Sequence, residues 1–443
     1  MKRFSLLFPL VWVLAACTPS NPVLTVSGGS IQGVLTDSSA VMVYKGIPYA
    51  APPVGELRWK APQPVVPWDG VRTCDTFGAI EPQPGNLPGT FYGDEFYWAG
   101  VPDSSEDCLY LNVWAPARTV GKPGAKLPVA MWIHGGAYLN GYGYEVTMDG
   151  DAWARRGVIL VTINYRLGTF GFLSHPELTA EQGQSGNYGT MDQIAALQWV
   201  HDNIAAFGGN PGQVTIFGQS AGAMSVKTLM SAPAARKLIA GAIIQSGGGL
   251  DTRGLSPVND VPQAFYDAQG QEVMDKAGLE TLTDLRSATP ESLLQAGGWF
   301  SPHLDGKVLT DTFEDAVMHG PAGEIPVLIG YNKDDMGMLG GASVDRFCEV
   351  RDLLGHPVYE YEFLRELPTD EAHPASAAGA FHSAELWYMF GTLDRSWRPF
   401  TEADHALSER MLDAWTSFCR TGNPGWPAYK KTAPYKELFD IEE

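Results

Sequence analysis

Val214-Thr-Ile-Phe-Gly-Gln-Ser-Ala-Gly-Ala-Met-Ser-Val-Lys-Thr-Leu-Met230 is the stretch whose reading decides the fold. Four residues of β-type composition, Val214 to Phe217, run directly into Gly218-Gln219-Ser220-Ala221-Gly222, and a helix-compatible segment follows without a break. A serine on so sharp a strand-to-helix turn takes backbone angles that only small neighbours tolerate, and the glycines two before and two after it let the turn close. Its Oγ is then exposed at the carboxyl end of the strand. There the helix N-terminus and the Ala221 N–H can meet a developing negative charge. In a chain with 50 glycines the string Gly-x-Ser-x-Gly is weak by itself, and the flanking strand and helix are what make it specific. Gly183-Gln184-Ser185, with no second glycine and no strand before it, is the accidental counterpart.

Working upstream, Asp192 to Ala205 reads as an amphipathic helix, with Ile194, Leu197, Val200 and Ile204 on one face and Gly208-Gly209-Asn210-Pro211 past its end. Val158 to Asn164 is a continuous apolar run of the parallel-sheet kind. Pro128 to Ile133 is a strand ending in His134-Gly135-Gly136-Ala137-Tyr138, where small residues let successive backbone N–H groups point together. Strand, helix, strand in this order predicts right-handed parallel crossovers. Cys108 to Trp114 alternates as a strand, and Leu24 to Gln32 and Val41 to Tyr44 read as short ones. Residues 85 to 101 form a loop crowded with Phe91, Tyr92, Phe96, Tyr97 and Trp98. Downstream, Ala242 to Ile244, Val327 to Tyr331 and Val358 to Phe363 are strands, 264 to 294 is broken helix, and Ala403 to Cys419 is a last helix.

With 443 residues the chain is long enough for several average domains, yet no linker, repeat or low-complexity run divides it, so residues 24 to 443 are expected to form one domain. The formal charge of −20, made two units more negative if Lys2 and Arg3 are removed with a leader, excludes a nucleic-acid partner. Lys2-Arg3, the apolar stretch Phe4 to Leu14 and Leu14-Ala15-Ala16-Cys17 have the three regions of an export signal covering residues 1 to 16. A small-residue site ending in cysteine resembles the lipobox of bacterial lipoproteins. That resemblance implies lipidation of Cys17, a tether over residues 17 to 23, and a protein anchored in the cell envelope, at the periplasm or outer membrane. The alternative is an ordinary cleaved signal. Cys74, Cys108, Cys348 and Cys419 are an even number for an oxidising compartment and allow three pairings. The reading favours Cys74 with Cys108, leaving Cys348 and Cys419 as a pair or as buried thiols. No paired His/Cys spacing of zinc type occurs, and neither a metal nor a cofactor is expected.

A serine hydroxyl needs a base to take its proton and a carboxylate to orient that base. Of nine histidines, His382 alone follows a late strand and a small-residue loop, Ala375 to Ala380. Asp334 or Asp335 supplies a carboxylate at the end of an intervening strand, in the chain order Ser, Asp, His of the α/β-hydrolases. His134 reads as structural.

Further motifs narrow the family. They are Ser105-Glu106-Asp107-Cys108-Leu109-Tyr110-Leu111-Asn112, His134-Gly135-Gly136, Asn164-Tyr165-Arg166-Leu167-Gly168, Gly186-Asn187-Tyr188-Gly189 and Phe207-Gly208-Gly209-Asn210-Pro211, together with the serine elbow. In these the chain resembles the type B carboxylesterases, the cholinesterase-like branch of the α/β-hydrolases, over nearly all of residues 24 to 430. The resemblance implies a central, mostly parallel sheet flanked by helices, with inserted loops forming a gorge. It also implies Ser220 as nucleophile, His382 as base, Asp335 as the acid, and the N–H groups of Gly136, Ala137 and Ala221 as oxyanion donors. Ser246 matches a family serine close to the triad, and Glu106 or Asp107 is expected to pair with Arg166.

Three departures stand out. Gln219 occupies a position usually glutamate, Ala137 replaces a glycine, and Asp335 and His382 are only 47 positions apart, so a stretch that normally walls the gorge is short. The expected activity is hydrolysis of small-molecule or carbohydrate-linked carboxylic esters through an acyl-enzyme, with short acyl or aryl esters, of acetyl or feruloyl type, preferred. The alternatives are a lipase for long-chain esters and a non-catalytic cholinesterase-like binding protein.

Overall fold

The computed structural model describes residues 21–85, 89–250, 261–335, 339–373 and 379–441. The leader, Cys17 and most of the tether lie outside the described residues, as does most of the small-residue segment that precedes His382.

Thirteen short strands form among these residues: β1 (Val23–Val26), β2 (Gly29–Gln32), β3 (Val34–Leu35), β4 (Val41–Pro48), β5 (Val71–Thr73), β6 (Tyr110–Pro116), β7 (Leu127–Ile133), β8 (Ile159–Ile163), β9 (Gly209–Gln219), β10 (Gly241–Gln245), β11 (Val327–Asn332), β12 (Val358–Phe363) and β13 (Glu437–Phe439). Ten of them make one sheet in the order β13-β12-β11-β10-β9-β7-β8-β6-β4-β3, and β1, β2 and β5 make a small separate one. From β13 across to β8 every pairing is parallel, and β6, β4 and β3 continue antiparallel at the amino-terminal edge. The expected mostly parallel sheet is therefore present, and the serine-bearing β9 runs near its middle.

The apolar runs read as buried strands are apolar on both faces because both faces are covered. On β7, Val129, Met131 and Ile133 enter one core layer while Ala130 and Trp132 enter the other; on β9, Val214 and Ile216 oppose Phe217 in the same way. The helix expected from residue 192 starts earlier, at Tyr188–Asn203, and a 3₁₀ turn (Ile204–Phe207) completes it. The aromatic loop is not wholly irregular. Phe91–Phe96 forms a short helix capped by the Thr90 hydroxyl, which accepts from the Gly93 N–H.

Two expected pairings are corrected. The four described cysteines are buried free thiols, with no disulfide among the described residues. Cys108 donates its S–H to Glu81 Oε2 at 2.7 Å, and burial holds the Glu81 carboxyl well above its ordinary range. Cys348 and Cys419 sit in opposite core layers, with the sheet between them, so neither can reach the other. Arg166 pairs with neither Glu106 nor Asp107. Its guanidinium makes two 2.8 Å bonds to Asp192, in the helix Tyr188–Asn203, whereas Glu106 pairs with Arg58.

Candidate active site

Ser220 stands between β9 and the helix Ala221–Ser231 at φ 58°, ψ −126°, a region costly for a side chain and held here by its neighbours. Its N–H donates to the Gln245 carbonyl of β10 at 2.9 Å. A Cβ on Gly222 would lie 2.0 Å from the Ile133 carbonyl oxygen of β7, and one on Gly218 2.5 Å from the Gly222 backbone. The two glycines are thus required by backbone approaching backbone. As Ala221 is the first residue of a helix, its N–H has no intrahelical acceptor.

β7 ends beside the elbow. Gly136 turns at φ 99°, where a Cβ would sit 2.0 Å from the Asn140 carbonyl oxygen, and Ala137 and Tyr138 follow at φ 55° and 60°. This left-handed run leaves the N–H groups of Gly136 and Ala137 without an acceptor among the described residues, and both residues line the cavity that Ser220 also lines. His134, at the start of this turn, is buried: its ring stacks on Tyr165 at 4.5 Å, and burial pushes its pKa down to about 4.

On the far side, His382 Nδ1 lies 2.5 Å from Asp335 Oδ1, with both side chains almost wholly buried. Between the two adjacent aspartates the backbone decides. Asp335 turns inward to His382, while Asp334 is exposed and its Oδ2 accepts from the Ala380 N–H at 2.9 Å. With the Nδ1 proton directed to Asp335, His382 Nε2 is left as an acceptor. The Gln219 side-chain nitrogen lies 3.2 Å from it. Gln219, noted in the sequence for standing where glutamate is usual, therefore touches the His382 imidazole.

Several residues at the site had no sequence signal of their own. Asn332 Nδ2 donates to the Phe381 carbonyl at 2.8 Å and to Glu385 Oε2 at 2.6 Å. The other oxygen of Glu385 accepts from Gln245 at 3.2 Å, and Trp415 donates to Gln245 at 3.0 Å. Burial first, and then the nearby Asp335 charge, push the Glu385 carboxyl up to about 6. Glu95 of the short aromatic helix forms a buried ion pair with Arg398 at 2.8 Å and accepts from Trp387 at 2.8 Å. Ser246, by contrast, was singled out in the sequence, and it is buried at φ 50° with no partner for its hydroxyl among the described residues. Only neighbouring motif residues such as Asn332 and Glu385 could have been suspected, because the partners lie far apart in sequence.

Ser220, His382, Gly136 and Ala137 line one cavity of about 260 Å³. Tyr92, Phe96, Tyr97, Trp132 and Leu386 make its apolar wall. Other aromatics of the chain do not share this wall. Trp98 and Trp299 are exposed and Phe300, Trp387 and Tyr388 are packed in the interior, all away from the cavity lining. No group of three or more potential metal-ligating side chains occurs among the described residues.

The chain and its fold have counterparts among known proteins. A carboxylesterase family profile matches residues 20–354 and 341–442. The para-nitrobenzyl esterase of Bacillus subtilis (strain 168) is 35% identical over 486 residues, spanning 96% of this chain and 96% of that protein. The fumonisin B1 esterase of Sphingopyxis macrogoltabida is 39% identical over 338 residues, spanning 75% of this chain and 58% of that protein. A solved para-nitrobenzyl esterase structure superposes with a TM-score of 0.82 at 32% identity, covering 95% of this chain and 96% of that one. An alignment of 486 positions exceeds the 443 residues here, so the relative carries segments with no counterpart in this chain. On this evidence the chain belongs to the carboxylesterase family and is a carboxylic ester hydrolase.

Proposed function

We propose that hydrolysis proceeds through an acyl-enzyme on Ser220. The observation that carries this reading is the Asp335–His382 hydrogen bond of 2.5 Å on the wall of the cavity that also holds the elbow serine. Ser220 Oγ attacks the ester carbonyl while His382 Nε2 takes its proton, and Asp335 stabilises the imidazolium. The oxyanion is met by the N–H groups of Gly136, Ala137 and Ala221, two at a left-handed turn and one at a helix N-terminus. His382 then protonates the leaving alcohol, and water repeats the cycle on the acyl-serine. For attack, the Ser220 hydroxyl displaces the Gln219 amide from His382 Nε2, a small side-chain shift of the kind catalytic hydrogen bonds undergo when substrate binds.

The cavity supports a preference for small ester groups. About 260 Å³ lies near the lower end of small-molecule sites, at roughly 300–1,000 Å³, and the wall is aromatic. Such a space suits a short acyl group or a flat aryl ring better than a long fatty chain, and acetyl or feruloyl groups on carbohydrate fit that description. A purified protein assayed on p-nitrophenyl esters from acetyl to palmitoyl, and on feruloyl esters, should give its highest kcat/KM at short or aryl acyl groups. A maximum at palmitoyl would overturn this preference. The sequence also supports export and lipidation at Cys17. In a Gram-negative host the full chain should then fractionate with membranes, and Cys17→Ser should release it.

A further inference from the structure

One acidic side chain in the cavity has no place in the acyl-enzyme cycle. Glu145 lines the same cavity as Ser220 and His382 and is 8% exposed. Both hydrogen bonds that it accepts fall on a single oxygen: Oε1 takes the Tyr97 hydroxyl at 2.9 Å and the Tyr142 N–H at 3.1 Å. Oε2 has no partner among the described residues, and it is not among the polar atoms sealed inside protein. No Lys or Arg among the described residues pairs with this carboxyl, and burial pushes its pKa up to about 7.

A buried carboxyl with no cation beside it is costly. Its structural task, holding Tyr97 and the turn at Tyr142, needs one acceptor oxygen, which a glutamine would supply without the burden of a charge. The second oxygen is left over, and it borders the space where the ester must sit. Perturbed, unpaired acids of this kind concentrate at functional sites. Asn140 and Ser383 also line the cavity beside the aromatic wall, but Glu145 is the one carboxyl among the lining residues. An acceptor with no internal donor on one oxygen discriminates strongly, because a substrate without the matching donor leaves that oxygen desolvated and unpaired.

We propose that Glu145 is a specificity-determining residue, accepting on Oε2 a hydrogen bond from a hydroxyl or protonated amine carried by the ester substrate. This rests on the ester-hydrolase reading above and adds to it a polar donor at a distance from the scissile bond.

Matched ester pairs test it. 3-Hydroxypropyl butyrate is compared with butyl butyrate, and 2-(dimethylamino)ethyl butyrate with 3-methylbutyl butyrate. p-Nitrophenyl 3-hydroxybutyrate is compared with p-nitrophenyl 3-methylbutyrate. The quantity read is the ratio of kcat/KM within each pair. In the wild type at least one ratio should favour the donor ester by about tenfold or more, and the pair that does so tells hydroxyl from amine and alcohol side from acyl side. Glu145→Gln keeps an oxygen for Tyr97 and Tyr142 but can present an N–H to the cavity, so it should bring that ratio to near one or invert it. Ratios near one for all three pairs in the wild type overturn the proposal whether or not the variant folds. A ratio unchanged in a folded Glu145→Gln also overturns it. Hydrolysis of the apolar twins shows that the esterase reading stands in either case, and no hydrolysis of any of the six esters overturns both.

Discussion

On the Ser220 side of the cavity, backbone holds backbone. Gly222 packs where a Cβ would touch the Ile133 carbonyl, the Ser220 N–H is held by Gln245, and Gly136 turns against the Asn140 carbonyl. On the His382 side, side chains do the holding. Asp335 meets His382, Asn332 ties Phe381 to Glu385, and Glu385 rests on Gln245. The buried Glu95–Arg398 pair fastens the aromatic helix to the segment beyond α-helical Leu386–Phe390. The first side should therefore resist changes of side chain and of pH but not the addition of one methyl group at the elbow. The second should respond to the loss of single donors, acceptors or charges.

Mutation can break this comparison most sharply at the nucleophile. Ser220→Ala should lower kcat by on the order of 10⁶. Circular dichroism and the denaturation midpoint should stay near wild type, because the serine is held through its backbone, and a fluorophosphonate probe should no longer label the protein. Turnover close to wild type would remove Ser220 from the reaction. Across the cavity, Asp335→Asn should cost roughly 10³ to 10⁴ in kcat by favouring the wrong imidazole tautomer. Asp334→Asn, which loses at most part of an exposed bond to Ala380, should cost far less, and the opposite ranking would refute the inward placement of Asp335.

Stability measurements sharpen the contrast. Gly222→Ala forces a Cβ against the Ile133 carbonyl and should destabilise by about 3 kcal/mol or more in urea unfolding. A change below about 1 kcal/mol would mean that the elbow relaxes easily. The side-chain half should instead show its character in pH dependence. The Glu385 carboxyl is raised from 4.5 to about 6 when folded. Between those values the folded state binds a proton that the unfolded chain has released, so the Glu385 contribution makes stability fall as pH rises. Above about pH 6 the full penalty, on the order of 2 kcal/mol, is present. Relative to wild type, Glu385→Gln should gain about that much stability as pH rises from below 4.5 to above 6, and a pH-independent difference would count against the linkage.

The smallest effect is expected at Gln219, which lies in the backbone-held half but touches the base of the other. Gln219→Glu places a carboxylate beside His382, which favours the imidazolium and should move the acid limb of kcat/KM to higher pH by about one unit. An unmoved limb would show that the 3.2 Å contact does not persist when substrate binds.

The two sides also differ in how far they could be read in advance. The elbow and the oxyanion turn were legible because their determinants are contiguous: a strand, a glycine-framed serine and a helix, or a strand running into small residues. Burial of both sheet faces made the strands themselves legible as apolar runs. The choice between Asp334 and Asp335 came from resemblance alone, and the fold decides it by turning one carboxylate inward and leaving the other exposed. The expected partner of Arg166 failed because two acids near in motif lost to Asp192, which the start of a helix brings alongside the end of β8. The cysteine pairings failed for a similar reason. An even count says nothing about which layer of the core each thiol enters, and Cys348 and Cys419 enter different ones.

What the sequence determined by itself was local: strand and helix periods, the strained turn at Ser220, and the order of serine, acid and histidine along the chain. Only the tertiary structure decided which distant side chains meet. Gln245, Asn332, Glu385 and Trp415 join behind the base, and Tyr97 and Tyr142 fix one oxygen of Glu145 while leaving the other to the cavity. The physical reason is that a strand or turn is specified by neighbours a few residues away through backbone sterics and burial. Most of these side-chain hydrogen bonds depend instead on the positions of elements distant in sequence, and those are set by packing of the whole core.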